Sequence, residues 1–323
     1  MTDRERFLAC VLGEPVDRPP YWLRWGPWGT TLERWKREGA DFGLLGEPRL
    51  LFEPETPPVP VPGSFGPYPA FEEKTLEETG EYRVFVDPWG VTRRAFKHRE
   101  SMPEFIDFPV KTRCDWEQYK EERLNPDDGG RLEGPWRDAL AVWPELGFPI
   151  QMGEFPDVGL YGGLRWLLGD EECLVAFCTD PDWVHEIMDH LTSLYLTVFD
   201  KMVRLVRIDV IHLWEDLCGR NGPLISPRQW EEFMGPCYRR IARFAREHDI
   251  RVFSVDTDGQ PDLIIPPMRA AGVNFLWPLE VAAGCDVNAM RAKYPGLAMM
   301  GGIDKRALAQ GPEAIDAELE RIR

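Results

Sequence analysis

Acidic residues close four short apolar segments in the second half of the chain, and carboxylates gathered in this way could do proton-transfer chemistry. The segments are 210–216, 252–259, 273–280 and 297–304. Carboxylates that share one pocket can act as general acid and base, or they can bind a hard divalent cation. We therefore predict catalytic roles for acids in the first three segments, namely Asp216, Asp256, Asp258 and Glu280. If a metal ion is bound, Asp256 and Glu280 are the candidate ligands.

Two pairs of these acids lie so close in sequence that their orientations are coupled. Along an extended strand, Asp256 and Asp258 point to the same side, with about 6–7 Å between their Cα atoms. This spacing indicates a paired carboxylate site in which one pKa is raised by repulsion, unless a cation or an arginine is present. The alternative is an Asp-Gly turn in which Asp258 caps the next helix. Glu215 and Asp216 are adjacent and face opposite ways, so one is expected to enter the site and the other to bridge to a neighbouring loop.

Several other residues near the predicted strand ends could bind a substrate. The predicted binding residues are Arg24, Trp25, Glu154, Tyr161, His212, Trp214, Trp277 and Asp304. Tryptophans around one opening would suit a flat or methylated ligand through stacking or cation–π contact. An unpaired guanidinium in the apolar strand of Arg24 would be costly, so Arg24 should meet a carboxylate of the protein or an acidic substrate.

Some of these residues also have a structural interpretation. His212 lies among apolar residues, where a histidine is more often a hydrogen-bonded core residue than a catalytic one. Asp304 could cap a helix that begins at Lys305. Cys285 lies near the predicted opening, but an isolated thiol is more often an inert small hydrophobe.

The elements that must position these residues repeat as strand, loop and helix. A helix-like stretch follows each acid-closing segment, and this order predicts a parallel sheet with its loops at the carboxyl ends of the strands. Further strands are predicted at 21–25 and 148–154. We expect a (β/α)8 TIM barrel in one domain, 1–323, with a β-rich antiparallel insertion at 46–110. An eighth strand is not evident, so either the first half holds an unplaced strand or the chain is truncated, and truncation is favoured.

Three local signals predict where helices begin. Thr2 and Glu5 form a capping-box pattern, and the helix that follows should end at Gly13. Asp180 precedes a proline and predicts a helix start ahead of a long helix. Ser226 and Gln229 repeat the capping-box pattern for a helix that reaches about residue 248.

Composition excludes several classes of protein. The formal net charge of −17 would repel a nucleic-acid backbone, so no nucleic-acid partner is expected. The longest apolar runs are far shorter than the roughly 20 residues of a membrane-spanning helix. The seven cysteines are odd in number and contain no C-x-x-C pair, which favours a reducing cytoplasm over an oxidising compartment.

Three stretches of the chain resemble the uroporphyrinogen decarboxylase superfamily. They are Thr2-Asp3-Arg4-Glu5-Arg6-Phe7 continuing through Gly13-Glu14-Pro15-Val16-Asp17-Arg18-Pro19-Pro20, then Gly222-Pro223-Leu224-Ile225-Ser226-Pro227, and Gly301-Gly302-Ile303-Asp304-Lys305-Arg306. The resemblance implies a (β/α)8 barrel. It also implies an enzyme, because the superfamily holds cofactor-free tetrapyrrole decarboxylases and corrinoid-linked methyltransferases.

The chain departs from both characterised branches. The decarboxylases carry an Arg-Gln-Ala-Gly-Arg run that holds substrate carboxylates, whereas the stretch 24–29 here keeps at most the one arginine, Arg24. The methyltransferases that activate a thiol hold zinc with a His-x-Cys-Gly element. The stretch 256–259 replaces those two ligands with Asp256 and Asp258, so a zinc–thiolate centre is not expected.

We therefore expect one-carbon (methyl) transfer on a small substrate, to or from a corrinoid protein. Decarboxylation of a tetrapyrrole or another small carboxylic acid is the alternative, and a catalytically inactive ligand-binding barrel is the third. The cofactor stays open between a divalent metal ion and a corrinoid on a partner protein. A homodimer also stays open.

Overall fold

The computed structural model describes residues 1–20, 27–40 and 57–323. The predicted strand at 21–25, with Arg24 and Trp25, lies outside the described residues, as does the beginning of the predicted insertion.

The described strands are short. In chain order they are β1 (Val59–Pro60), β2 (Lys74–Glu78), β3 (Tyr82–Val86), β4 (Thr92–Phe96), β5 (Glu104–Asp107), β6 (Ile150–Met152), β7 (Val210–Trp214), β8 (Cys218–Gly219), β9 (Gly222–Pro223), β10 (Val252–Asp256), β11 (Phe275–Leu279) and β12 (Ala298–Gly301). Six of them form one parallel sheet in the order β1-β6-β7-β10-β11-β12. The structure therefore confirms a mixed α/β fold with a parallel sheet; the prediction has eight strands, and the described part of the chain shows six.

Helices follow most of the parallel strands. In chain order, the described α-helices are α1 (Asp3–Leu12), α2 (Gly29–Arg37), α3 (Arg113–Arg123), α4 (Trp136–Ala139), α5 (Tyr161–Leu168), α6 (Asp170–Thr179), α7 (Pro181–Val203), α8 (Pro227–Gln229), α9 (Gly235–Glu247), α10 (Ile265–Ala270), α11 (Val287–Lys293), α12 (Lys305–Leu308) and α13 (Pro312–Ile322). A π-helical turn, Trp230–Met234, joins α8 to α9. All three predicted start signals are confirmed, with capping boxes at Thr2 and Ser226 and a side-chain cap from Asp180.

Among the six strands of the parallel sheet, β1 is the one that the sequence did not predict, because it lies in a proline-dense stretch. The backbone N–H of Val59 donates to Pro149 O at 2.9 Å, and that of Val61 donates to Gln151 O at 2.8 Å. Pro60 lies between them, at a position whose missing N–H would point away from β6. The first half of the chain thus supplies a strand that its proline-rich sequence does not indicate.

The parallel sheet has two faces with different partners. Side chains of one face, such as Ile211, Leu213 and Val255, belong to the main hydrophobic core, which also contains residues of α5, α6, α7, α9 and α10. The opposite face is called the inner face here. Toward the amino ends of the strands the inner face is apolar and packs against α1. The cluster that forms this contact is Phe7, Leu8, Val11, Val210, Val252, Phe275, Trp277 and Ala298. The inner face becomes polar only toward the carboxyl ends of the strands, where His212, Ser254 and Asp256 follow.

Strands β2 to β5 form the predicted antiparallel meander. Its last strand, β5, was not predicted. Trp89 ties the meander to the loop after β6, since its Nε1 donates to Asp157 Oδ1 at 2.9 Å. The Tyr119 hydroxyl on α3 donates to the Trp89 carbonyl oxygen at 2.9 Å. The meander is thus fixed against the carboxyl end of the parallel sheet. Among the described helices, none has the length and apolarity needed to cross a membrane.

Candidate active site at the carboxyl end of the sheet

Three polar or aromatic side chains occupy the middle of the inner face. Ser254 pairs in register with His212, and His212 Nδ1 and Ser254 Oγ are 3.2 Å apart. Trp277 Nε1 donates to the same hydroxyl at 2.8 Å, and the Trp277 ring stacks on the His212 ring with centroids 4.9 Å apart. All three side chains are buried. Strand alternation places Asp256, two residues beyond Ser254, directly above them on the same face, where it is also buried.

Glu154 lies after β6 and is engaged with its own loop. Gln151 Nε2 donates to Glu154 Oε2 at 3.2 Å and to Gly153 O at 2.8 Å. The backbone N–H of Phe155 donates to Glu154 Oε1 at 2.9 Å. These bonds fix the turn that carries Glu154 toward the carboxyl end of the sheet.

Glu215 is fully buried and holds the start of α5. Its carboxylate accepts backbone hydrogen bonds from Leu160 at 3.1 Å, Tyr161 at 2.7 Å and Gly162 at 3.1 Å. The Tyr238 hydroxyl on α9 donates a fourth bond at 2.7 Å. Burial raises the pKa of Glu215, while these donors act in the opposite direction. Glu215 is therefore the member of the adjacent pair that faces away from the opening.

Asp216 is the member of the pair that reaches the opening. Its backbone is in the left-handed region at φ 43°, which turns the chain sharply after β7. The backbone N–H groups of Glu215 and Asp216 both donate to the Asp256 carbonyl oxygen, at 2.9 and 3.3 Å. Arg165 on α5 forms a salt bridge to Asp216 Oδ2 at 2.8 Å, and its guanidinium also lies 5.2 Å above the Trp214 ring. Asp216 therefore both reaches the opening and forms the salt bridge, whereas the prediction gave these roles to different members of the pair. The bridge also goes to helix α5 and not to a loop.

Asp258 is exposed at the opening, and its carboxyl group accepts no hydrogen bond from any described residue. Strand β10 ends at Asp256, so the alternation that would place both carboxylates side by side does not continue to Asp258. Although the side chain is exposed, enough protein surrounds its carboxyl group to raise the pKa of Asp258 by desolvation. The negative charges of Asp216 and Glu280 raise this pKa further, and Lys305 lowers it.

Glu280 follows β11 and already has partners for both carboxylate oxygens. Its Oε2 accepts the Gly259 N–H at 3.1 Å, and its Oε1 lies 3.5 Å from Lys305 Nζ. Gly259 has φ +77°, and an added Cβ would lie 2.5 Å from the Cys218 carbonyl oxygen. Glycine is therefore required where the loop after β10 meets Glu280.

Asp304 follows β12 and caps a helix, as its structural interpretation predicts. Its side chain accepts the Arg306 N–H at the start of α12 and forms a salt bridge to the Arg306 guanidinium at 2.7 Å. The hydrogen bonds from Arg306 lower the pKa of Asp304 to about 2. Asp304 lines a separate hollow of about 590 Å³ between α12 and α13, together with Glu318 and Arg321.

The aromatic candidates are buried. Trp214 stacks on Trp166 of α5 with ring centroids 5.6 Å apart, within a cluster that also contains Trp89 of the meander. The ring of Tyr161 stacks on Phe177 of α6 at 6.3 Å. These positions favour packing roles for Trp214 and Tyr161, and their predicted substrate contacts stay predictions.

Among the described residues, no group of three His, Cys, Asp or Glu side chains comes together around one point. Glu280 uses its oxygens on Gly259 and Lys305. Cys285 is buried, its Sγ donates to Gly259 O at 3.4 Å, and burial raises the pKa of its thiol.

The sequence did not identify three residues that shape this site. Ser254 lies two positions before Asp256, so the same period-two pattern could have found it. Arg165 and Lys305 lie on helices, far in sequence from the acids they bind, and no local pattern links them to Asp216 and Glu280.

The site has two layers of polar side chains at the carboxyl ends of β7, β10 and β11. A buried polar layer of His212, Ser254 and Asp256 lies beneath an acidic rim, which is defined here as Asp216, Asp258 and Glu280. Within the rim, Asp216 and Glu280 are paired with cations, whereas Asp258 carries a carboxyl group that can exchange a proton with a bound ligand.

Comparison with known proteins gives consistent relatives. A family model described as uroporphyrinogen decarboxylase (URO-D) matches residues 169–323. A uroporphyrinogen decarboxylase of Nocardia farcinica (strain IFM 10152) is 22% identical over 325 residues, which cover 98% of this chain and 84% of that protein. The structure is also similar to a methyltransferase from Methanosarcina mazei, with a TM-score of 0.60 at 17% identity over 100% of this chain and 89% of the other. That structural likeness shows a shared fold.

Proposed function

We propose that the chain is a member of the uroporphyrinogen decarboxylase superfamily, whose family model matches residues 169–323, and that it transfers a methyl group from a small methylated substrate. We infer that the parallel sheet is part of an eight-stranded closed barrel whose opening is the acidic rim. The substrate would be a small amine or ether that the acidic, aromatic surroundings can hold as a cation or as a neutral methylated group.

One observation carries this proposal: Asp258 is exposed at the opening, and its carboxyl group accepts no hydrogen bond from a described residue and has a raised pKa. A carboxyl group with a raised pKa stays protonated over a wider pH range and can act as a general acid. In the reaction, the bond between the methyl carbon and its heteroatom breaks, and the electron pair stays on the heteroatom. Asp258 then gives its proton to that atom and is reprotonated from solvent.

The other residues of the site have supporting roles in this proposal. The negative charges of Asp216 and Glu280 add to the desolvation that raises the pKa of the Asp258 carboxyl group. Asp256 and the layer formed by His212, Ser254 and Trp277 form a rigid, hydrogen-bonded floor that orients the substrate.

A corrinoid on a partner protein would supply the nucleophile that receives the methyl group. Such a group stays bound to its own protein, so this chain needs only an open edge where substrate and partner can meet. The exposure of Asp258 fits that need.

The test is a methyl-transfer assay with purified protein, free cob(I)alamin and a panel of methylamines and methyl ethers. Formation of methylcobalamin, followed by its absorbance, is expected with at least one substrate. The Asp258→Asn variant should lose this activity, while Asp138→Asn, which changes an exposed acid of α4 with no salt bridge among the described residues, should keep it.

Decarboxylation is the competing function, because a curated relative carries that name. The same protein preparation is therefore incubated with uroporphyrinogen and with small carboxylic acids, and released CO2 is measured. CO2 release without methylcobalamin formation would replace the proposal with a decarboxylase, and neither product across the whole panel would contradict it in favour of a ligand-binding protein.

A further inference from the structure

The outer surface of α9 carries a row of arginines on a protein that is otherwise strongly acidic. Arg239, Arg243 and Arg246 are spaced at i, i+4 and i+7, so all three project from one face of the helix. All three are exposed. This concentration of positive charge contrasts with the net charge of −17 of the whole chain.

The three arginines line a hollow and do not lie on a flat surface. The hollow has a volume of about 300 Å³, and its remaining wall is formed by Ala270, Ala271 and Gly272 at the end of α10. A second hollow of about 410 Å³ shares Arg246 and Gly272 and extends toward Arg251. Together they form a continuous groove between α9 and the segment that leads into β11.

Small residues form the floor of this groove. Gly272 has φ +113°, and a Cβ added there would lie 2.7 Å from the Cβ of Ala242 on α9. The two segments therefore approach as closely as their backbones allow. The three arginines line the hollow beside that floor.

The charges in the groove are only partly balanced. Arg239 pairs with Glu231 at 2.6 Å, and Arg251 pairs with Glu14 at 2.8 Å. Arg243 and Arg246 form no salt bridge to any residue in the described part of the chain, although Asp249 also lines the second hollow.

The neighbouring Arg240 on the same helix differs from these two arginines because its guanidinium group is bound within the protein. It points to α7, where it forms a salt bridge to Asp189 and donates to Ser193 Oγ at 2.9 Å. Arg243 and Arg246 have the same chemistry but face the groove, so their donors are available to a ligand.

We propose that this groove binds a small phosphate-type oxyanion, such as the diphosphate group of a metabolite. Planar guanidinium groups match phosphate oxygens with paired hydrogen bonds, and three of them around a small-residue floor suit a compact polyanion. The acidic surface elsewhere repels anions, which confines binding to this place.

This site is separate from the acidic rim. The groove lies at the amino ends of β10 and β11, beside Arg251 and Asn274, whereas the rim follows their carboxyl ends. A strand of this length separates the two by about 15 Å. Occupancy of the groove is therefore expected to leave the rim accessible.

The test is isothermal titration of the full chain with inorganic pyrophosphate at low ionic strength. Saturable binding at one site is expected. The double variant Arg243→Gln/Arg246→Gln should bind at least about tenfold more weakly, because each charge-assisted bond contributes substantially to affinity. Arg228→Gln is the matched control, since Arg228 is exposed on α8 outside the groove and forms no salt bridge within the described chain.

Thermal unfolding of the three proteins without ligand checks that the substitutions leave the fold intact, as expected for exposed side chains. An absence of saturable pyrophosphate binding to the wild-type chain would overturn the proposal. Unchanged affinity in the double variant would overturn it as well, because the anion would then bind elsewhere.

Discussion

The acids at the carboxyl end of the sheet differ in how many of their oxygens are already bound within the protein. Glu215 accepts four hydrogen bonds, and Glu280 accepts one from Gly259 and pairs with Lys305. Asp304 caps α12. Asp258 differs from these because no described residue donates to its carboxyl group, and this difference distinguishes an acid that can bind a ligand from acids that stabilise the fold.

The proposed role of Asp258 predicts a specific pH dependence. Because the protonated form is the active one, activity should be present below the raised pKa of Asp258 and should fall as the pH rises through it. Asp258→Asn should reduce kcat by about 100-fold or more. The measurement is the rate of methyl transfer between pH 4 and pH 9.

Substitutions of two neighbouring residues test whether Asp258 is the group that titrates. They should move the pH at which activity falls, called the pH limb here, in opposite directions. Asp216→Asn removes a negative charge that raises the pKa of Asp258, so the limb should move to lower pH. Lys305→Met removes a positive charge that lowers the same pKa, so the limb should move to higher pH. A limb that does not respond to either variant would assign the titration to another group.

The position of Asp256 leads to a second prediction. Asp256→Asn should abolish activity, since its carboxyl group lies on the inner face above Ser254. Its shape is retained, so the free energy of unfolding, measured by urea denaturation, should change by less than about 2 kcal/mol. Full activity in this variant would make Asp256 a turn residue, and failure to fold would make it structural.

At the scale of elements, Glu215 connects β7 to the start of α5 and to α9. Glu215→Gln replaces one acceptor oxygen with an amide NH2 group that faces N–H donors, so buried donors lose their partner. We expect a loss of about 3 kcal/mol in the free energy of unfolding. Tyr238→Phe removes only one of the donors and should cost about 1 kcal/mol. Equal losses in the two variants would show that the backbone bonds to Glu215 contribute little.

The elements that sequence analysis placed are those with local signals. The capping boxes at Thr2 and Ser226 depend on residues three positions apart, and both helices begin where expected. Strands β7, β10, β11 and β12 combine an apolar run with an acidic end, and these features are also visible in the sequence.

The remaining features depend on contacts between distant segments. Pro60 belongs to a strand because of its register against β6, which a proline-rich sequence does not reveal. In the sequence, nothing distinguishes Glu215 from the adjacent acid Asp216. Its backbone partners lie 53 to 55 residues earlier, at the start of α5. Parity predicted that Glu215 and Asp216 would face opposite ways, but only the fold shows which one reaches the opening.

At the scale of the whole molecule, the distribution of charge opposes a polycarboxylate substrate. The net charge is −17, and the two cations that contact the acidic rim, among the described residues, are Arg165 and Lys305. Both are already paired with rim acids. We therefore predict that incubation with uroporphyrinogen gives no coproporphyrinogen, measured by chromatography of the oxidised porphyrins.

A uroporphyrinogen decarboxylase assayed in parallel is the positive control for that experiment. Turnover by this chain at the rate of the control would mean that other cations hold the substrate carboxylates. It would also make decarboxylation the main function.

The contact between Arg165, Trp214 and Asp216 has an optical consequence. The guanidinium lies 5.2 Å above an indole that is itself stacked on Trp166, and it is held there by a rim carboxylate. A ligand cation that competes for Asp216 would release the guanidinium and change the electric field across both indoles. The chain therefore contains an intrinsic fluorophore pair beside its opening, whose emission should report occupancy of the rim without any attached dye.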